Sequence, residues 1–169
     1  LLACNYNEMT PVQAQAIVPA RRGKDLQVTA QTGTGKTAAF ALPILQKMVE
    51  KPSETLKSNA RVLILTPTRE LAAQVADNVT AYCKYLNFSV LTIYGGVKIE
   101  TQAQKLKRGA DVIVATPGRL LEHLTACNLS LSNVDFLVLD EADRMLDMGF
   151  SADIQKILQA VNKKRQNLL

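Results

Sequence analysis

The sequence predicts an α/β fold, a mostly parallel β-sheet with helices on both faces. Three observations carry this expectation. Aliphatic and β-branched runs such as Arg61-Val62-Leu63-Ile64-Leu65-Thr66 show almost no polar alternation, as strands buried on both faces do. These runs alternate with helical segments, the order that builds parallel sheets. A short alternating strand at 25–29, a glycine-rich turn at 30–37 and the helical run Ala38-Ala39-Phe40-Ala41-Leu42 also follow one another directly. At 169 residues the chain is long enough for one domain with a sizeable core.

In chain order, Asn5-Tyr6-Asn7-Glu8-Met9 leads to Thr10, a good N-cap, and to Pro11, suited to a first helical position. A helix is expected from there to about Val18. Arg21-Arg22-Gly23-Lys24 reads as a basic, solvated turn. After strand 25–29 and the glycine loop, a helix is expected through about Glu50, and Pro43 predicts a kink or break within it. Residues 51–59, with Pro52, Ser53 and Ser58, read as a polar loop, the place most open to mobility and insertion. The strand at 61–66 ends at Pro67-Thr68-Arg69-Glu70-Leu71, which opens a helix to about Leu86. Strands at 89–94, 111–116 and 134–140 follow, with helices near 99–108 and 119–124 between them. There is no internal repeat and no low-complexity segment.

Twenty Lys and Arg against fifteen Asp and Glu give a net charge of +5, which suits an anionic partner without naming one. Cys4, Cys83 and Cys127 lie far apart with no CxxC pair, and His123 is the only histidine. This argues against a disulfide scaffold or a zinc site and for reduced thiols in the cytoplasm. No apolar run approaches the length that spans a bilayer, and no charged-then-apolar leader precedes the first element. The chain begins at Leu1 rather than Met, so it is expected to be cut from a longer protein. The absence of Trp, with only four Phe and four Tyr, argues weakly against a base-stacking platform.

The stretch Ala30-Gln31-Thr32-Gly33-Thr34-Gly35-Lys36-Thr37 carries the sharpest chemistry. Between a strand and a helix, such a loop turns successive backbone N–H groups inward around phosphate oxygens. Gly33 and Gly35 let it curl tightly, Lys36 is placed to reach β- and γ-phosphates, and the Thr37 hydroxyl to ligate Mg²⁺. An ordinary glycine-rich turn is the alternative, and Ala30 stands where the generic pattern has Gly. The pattern arises by chance on the order of once per hundred chains this long. Its flanking strand and helix favour phosphate binding.

In a parallel sheet, ligands bind beyond the carboxyl ends of the strands. Five short motifs fall there: the 30–37 loop, Pro67-Thr68-Arg69-Glu70, Gly95-Gly96, Thr116-Pro117-Gly118-Arg119 and Asp140-Glu141-Ala142-Asp143. Each alone reads equally as a turn or an acidic strand end; five on one edge point to a site. Asp140, after Phe136-Leu137-Val138-Leu139, suits Mg²⁺ opposite Thr37, and Glu141 suits orienting and deprotonating an attacking water. Lys36 and the metal would spread the developing charge. Without the phosphate loop, the paired carboxylates would fit a Ca²⁺ or plain Mg²⁺ site equally well.

On these motifs the chain resembles the first RecA-like domain of the DEAD-box RNA helicases over nearly its whole length. Thr10-Pro11-Val12-Gln13 resembles the Q motif, the 30–37 loop motif I, and Asp140-Glu141-Ala142-Asp143 the family's namesake box, followed by the similar Arg144-Met145-Leu146-Asp147-Met148-Gly149-Phe150. Asn5-Tyr6 departs from the family's usual Gly-aromatic pair. The resemblance implies a single RecA-like ATP-binding domain over 1–169, with ATP and Mg²⁺ as cofactors and Gln13 reading the adenine edge. Ala30, Gln31, Thr32, Gly33, Thr34, Gly35, Lys36 and Thr37 would then bind the phosphates. It further implies that Arg69, Gly96, Thr116 and Arg119 touch the RNA sugar–phosphate backbone, and that Asp143 bridges to motif III, toward which the closing Gln166-Asn167-Leu168-Leu169 strand leads. A second RecA-like domain of the full-length chain would supply arginine fingers and half of the RNA groove, leaving this chain nearly inactive alone. The style is closest to bacterial members acting in ribosome assembly and RNA turnover. A P-loop ATPase acting on DNA, a transporter motor and an ATP-gated RNA clamp are the competing readings. The Q-motif glutamine and the Ala-Asp after Asp-Glu favour the RNA helicase over the first two.

Overall fold

Strand β1 (Val62–Leu65) is buried along all four residues, and the sheet is laid down on either side of it. The computed structural model describes residues 8–31, 33–52 and 60–169. In it β1 pairs in parallel with β3 (Val112–Ala115) on one side and β4 (Phe136–Leu139) on the other. Strand β2 (Val90–Ile93) lies outside β3, and β5 (Gln166–Leu168) outside β4, giving the order β2-β3-β1-β4-β5 with every pair parallel. The expected α/β fold is therefore present, with an all-parallel sheet.

Alternation along the strands divides the core between the two faces. Val62, Ile64, Val112, Val114, Phe136 and Val138 meet helices α1 (Pro11–Arg21), α2 (Lys36–Glu50) and α3 (Arg69–Tyr82). Leu63, Leu65, Ile113 and Leu137 point the other way, where Leu106, Leu120, Met145 and Ile157 join them. These come from α4 (Ile99–Lys107), α5 (Pro117–Thr125), α6 (Ala142–Asp147) and α7 (Ser151–Ala160). A one-residue slip would exchange the two sets, so register is fixed by packing on both sides.

Four expectations need correction. The segment 25–29 makes only a single bridge, Leu26 to Leu168. Backbone bonds from Leu26 N–H to Asn167 (3.0 Å), Val28 N–H to Leu169 (2.7 Å) and Leu169 N–H back to Leu26 (2.9 Å) hold it beside β5. It is the outer edge of the sheet, paired on one side, and its polar alternation leaves Asp25, Gln27 and Thr29 in water. Of the kink or break expected at Pro43, the break is absent, since helix α2 runs through it. Proline costs about 3 kcal/mol in a helix interior. Burying Ile44, Leu45 and Met48 returns about 1.5–3 kcal/mol each, and that decides the balance. Helix α1 continues past Val18 to Arg21 because Ala16 and Ala20 are buried against the core. Helix α3 stops at Tyr82, where Cys83 caps it and a turn closes from Leu86 to Cys83. Helices α6 and α7 were not anticipated, although Ile154 and Ile157, both buried, stand at helical spacing. The loop expected at 51–59 falls at 53–59 outside the described residues, as do Asn5, Tyr6 and Thr32.

Buried Gln166 ties β5 to the first two helices. Its Nε2 donates to the carbonyls of Ala20 (2.9 Å) and Lys24 (2.7 Å), and its Oε1 accepts from Lys47 Nζ (3.0 Å). Outside it, the Asp25 carboxylate accepts from both nitrogens of Asn167, which hold its pKa below the usual carboxylate value.

Leu63 is fully buried at the centre of the sheet, so Leu63→Ala should lower stability by about 2–5 kcal/mol. Urea denaturation checks this; a loss below about 1 kcal/mol would contradict a core packed as described.

Candidate functional site

Because every strand pair is parallel, the carboxyl ends of all strands lie on one edge. Across that edge the order runs Gly95-Gly96 after β2, Thr116 after β3, Thr68-Arg69 after β1 and Asp140-Glu141 after β4. Beyond β5 comes the glycine loop.

The loop feeds directly into α2, which starts at Lys36 with Gly35 as its N-cap. Gly33 (φ 79°) and Gly35 (φ 88°) are both left-handed, a conformation that costs other residues about 1–2 kcal/mol. No acidic side chain stands in the first turn of α2, so the helix carries no counter-charge of its own at the positive end of its dipole. The Thr34 hydroxyl donates to the Gln31 carbonyl at 2.7 Å and closes the loop on itself. Lys36 and Thr37 are half-buried, Ala30 is half-buried and Gln31 exposed.

Gln13 is the loop's support from α1. It forms a capping box, its Oε1 accepting from Thr10 N–H (3.0 Å) while its own N–H donates to Thr10 Oγ1 (3.4 Å). Its Nε2 donates to the Gly35 carbonyl at 3.3 Å. A Cβ at Gly35 would run into this Nε2, whereas a Cβ at Gly33 would meet open space. Beyond these bonds the Gln13 amide keeps one hydrogen and one lone pair, on a residue that is buried at 5% exposure.

On the opposite wall, Asp140 N–H donates to the Leu65 carbonyl at 2.9 Å, carrying the ladder one residue past β4. Glu141 then turns left-handed (φ 56°, ψ 51°) and opens α6. For a non-glycine residue this is stored backbone strain, a feature that clusters at functional sites. Its side chain is only 15% exposed, and the carboxylate is held by Arg144 Nη1 at 3.2 Å. Burial pushes the Asp140 carboxyl above its ordinary pKa; the Lys36 ammonium pulls it back and the Glu141 charge adds to the rise. A cavity of about 520 Å³ is walled by Ala30, Gln31 and Lys36 on one side and by Asp140, Glu141 and Asp143 on the other.

Among the described residues no group of three or more His, Cys, Asp or Glu is arranged to hold a metal. Asp140 lines the cavity, whereas Thr37 is not among the residues that line it. One carboxylate beside space for substrate phosphates suits Mg²⁺, which is commonly bound by one or two carboxylates together with such phosphates.

The remaining expected residues occupy the β2–β3–β1 half of the edge. Arg69 is exposed and paired to Glu70 at 2.7 Å. Its Nη1 lies 3.4 Å from where a Cβ on Gly96 would stand, so these two are brought together. Thr116 is the N-cap of α5 with its hydroxyl uninvolved in capping. Arg119 is turned inward, 14% exposed, with Nε 3.1 Å from Glu122 and Nη1 donating to the Val97 carbonyl at 2.6 Å. Sequence reasoning passed over Gln102 and His123, both buried beside Arg119. The signal for Gln102 was its place on the apolar stripe of α4, between Ile99 and Leu106.

A family pattern described as DEAD/DEAH box helicase matches residues 10–169. The chain belongs to the DEAD/DEAH box helicase family. Among DEAD-box relatives, it is similar to the DEAD-box ATP-dependent RNA helicase CshA of Bacillus cereus, 46% identical over 164 residues, which are 97% of this chain and 30% of that protein. It is 46% identical to the ATP-dependent RNA helicase CshA of Listeria monocytogenes, over 97% of this chain and 31% of that one. Against the ATP-dependent RNA helicase DeaD of Mycobacterium tuberculosis it is 48% identical, over 95% of this chain and 28% of the relative. The chain thus spans less than a third of the length of these relatives.

The two loop glycines should respond differently to a methyl group. Gly33→Ala should cost about 1–2 kcal/mol for backbone strain alone. Gly35→Ala should cost about 1 kcal/mol more, because it also displaces the Gln13 amide and its capping box. Equal losses in thermal unfolding would mean that Gln13 is not seated against Gly35.

Proposed function

We propose that this chain is one RecA-like, ATP-binding domain, the first of two, of a DEAD-box RNA helicase that uses ATP to bind RNA and locally separate duplexes. The observation that carries the reading is the shared cavity between the glycine loop and the Asp140–Glu141 strand end. The relatives' names, ATP-dependent RNA helicases, agree with it.

On this reading Ala30, Gln31, Thr32, Gly33, Thr34 and Gly35, with the N-terminus of α2, would hold the phosphates of ATP. Lys36 neutralises the β- and γ-phosphates, and Gln13 spends its free hydrogen and lone pair on the adenine edge. Asp140 and Thr37 hold Mg²⁺, which when bound supplies Lewis-acid charge for phosphoryl transfer. Glu141 orients the attacking water and takes its proton, and Arg144 fixes that carboxylate in place. Arg69, Gly96, Thr116 and Arg119 form the RNA edge, which meets the sugar–phosphate backbone without reading sequence. Asp143 couples the nucleotide to the second RecA-like domain of the longer protein, which contributes the arginine finger and the rest of the groove. The site of action is cytoplasmic.

Lys36→Ala should weaken binding of a fluorescent ADP or ATP analogue by about 10- to 100-fold, the worth of a charged hydrogen bond. Unchanged affinity in a titration would remove Lys36 from the site. In the longer protein, Glu141→Gln should leave ATP and RNA affinities within about twofold and lower turnover by about 10²–10⁴. ATPase assays with and without RNA decide this, and near-normal turnover would rule Glu141 out as base. Residues 1–169 alone should bind nucleotide yet show negligible RNA-stimulated ATPase, because an arginine finger is worth about 10³–10⁵ in rate. Brisk RNA-stimulated hydrolysis by this chain alone would overturn the two-domain reading.

A further inference from the structure

The Gly95-Gly96 turn is exposed, and Gly96 is left-handed at φ 86°. The two carbonyls that bracket it are both held from below. Gln102 Nε2 donates to the Tyr94 carbonyl at 3.0 Å, and Arg119 Nη1 donates to the Val97 carbonyl at 2.6 Å. The two braces meet at one atom: Gln102 Oε1 accepts from Arg119 Nη1 (3.3 Å) and from His123 Nε2 (3.1 Å). Since the Gln102 nitrogen is committed to Tyr94, its oxygen faces His123 and can only accept. The proton of His123 therefore sits on Nε2, leaving Nδ1 to accept from Asn128 Nδ2 at 3.1 Å. Gln102 is 4% exposed and His123 0%.

We propose that Gln102 and His123 are positioning residues that brace the Gly95-Gly96 turn, through Arg119 as well as directly, in the form that receives an RNA phosphate. This rests on the reading of that edge as an RNA surface. A buried amide and imidazole cost stability unless every polar atom is matched, and two apolar side chains would fill the space between α4 and α5 without that demand. The polar chain does what apolar packing cannot: it runs from the core to both ends of a surface turn. The turn itself presents bare backbone beside the Arg69 guanidinium, and a glycine pair lets a phosphate approach that backbone closely. Burial, aided by the neighbouring Arg119 charge and opposed by Glu122, pushes the His123 pKa below its ordinary value, the direction that suits the single-proton arrangement.

The test uses the 169-residue chain, with amide hydrogen exchange at Gly95, Gly96 and Val97, anisotropy of a fluorescein-labelled single-stranded oligouridylate, and titration of a fluorescent ADP. Gln102→Leu and His123→Leu should each speed exchange in the turn and weaken RNA binding by about five- to tenfold, the scale of one hydrogen bond. ADP affinity should stay within twofold. His123→Gln, which keeps an N–H donor for Gln102, should recover most of both effects. Asn128→Ala, trimming a half-buried end of the chain, should give a smaller change of the same kind if the leucine variants fail to fold. Exchange unchanged in the turn, or raised equally throughout the protein, would overturn the proposal, as would His123→Gln behaving like His123→Leu. Arg69→Ala separates the premises. If it binds RNA as well as the wild type, the RNA reading of the edge fails and the proposal falls with it. If it loses affinity while a loosened turn does not, the bracing role alone is wrong.

Discussion

The parallel pairing of β1 with both β3 and β4 is the constraint on which the rest of the molecule depends. Parallel strands need crossovers, the crossovers are helices, and the helices bury both faces of the sheet. With both faces covered, the polar groups of the strands find partners only in the ladder, so chemistry is confined to the strand ends. Strand order then sorts that chemistry. Gly96, Thr116 and Arg69 follow β2, β3 and β1, whereas Asp140 and Glu141 follow β4, two strands from the glycine loop. The edge is divided into two halves that meet at β1 and β4, adjacent strands in contact along their whole length.

The local part of this arrangement was legible in the sequence. Aliphatic runs marked β1 to β4 to within one or two residues, because packing against covering helices leaves a compositional trace, complete in β1 and β3 and fainter in half-buried β2. The glycine loop and the Asp140-Glu141 strand end were readable because their chemistry demands particular residues at fixed spacing. Strand order was not readable, since no local pattern says that Leu26 lies beside Leu168. Pro43 left a break open because its penalty is local, while the burial that carries the helix through it is tertiary. Gln13 was identified through family resemblance as an adenine reader; that its amide also holds Gly35 follows only from the packing of α1 on the loop. Arg119 was expected, by resemblance, to touch RNA; a sequence cannot show which way a fork points, and here it points at Val97.

Rigidity at this edge comes from small, deliberate violations of local preference. Glu141 sits left-handed without being glycine, directly after a carboxylate whose burial disfavours its own charge. Both features are unfavourable in isolation and persist because the ladder bond from Asp140 to Leu65 and the Arg144 ion pair leave the chain no better alternative. Gln166 and Gln102 make the same point for buried polar groups. Each has its polar atoms matched, and each connects elements distant in sequence, Gln166 reaching 146 residues back to Ala20.

The position of β5 also bears on how the protein is made. The segment leading into the glycine loop has its backbone partners at Asn167 and Leu169, nearly the full length of the chain away. A ribosome adds on the order of 5–20 residues per second. Helices α1 and α2 and the glycines between them therefore leave the tunnel several seconds before the strand that anchors them. Until then the loop has Gln13 to lean on but no sheet edge to close against. The half of the edge built on β1 to β3 has all its strands in hand far sooner, so the two halves mature in sequence rather than together. Within this stretch of the nascent chain, the cavity between the glycine loop and Asp140 closes only after β5 has emerged.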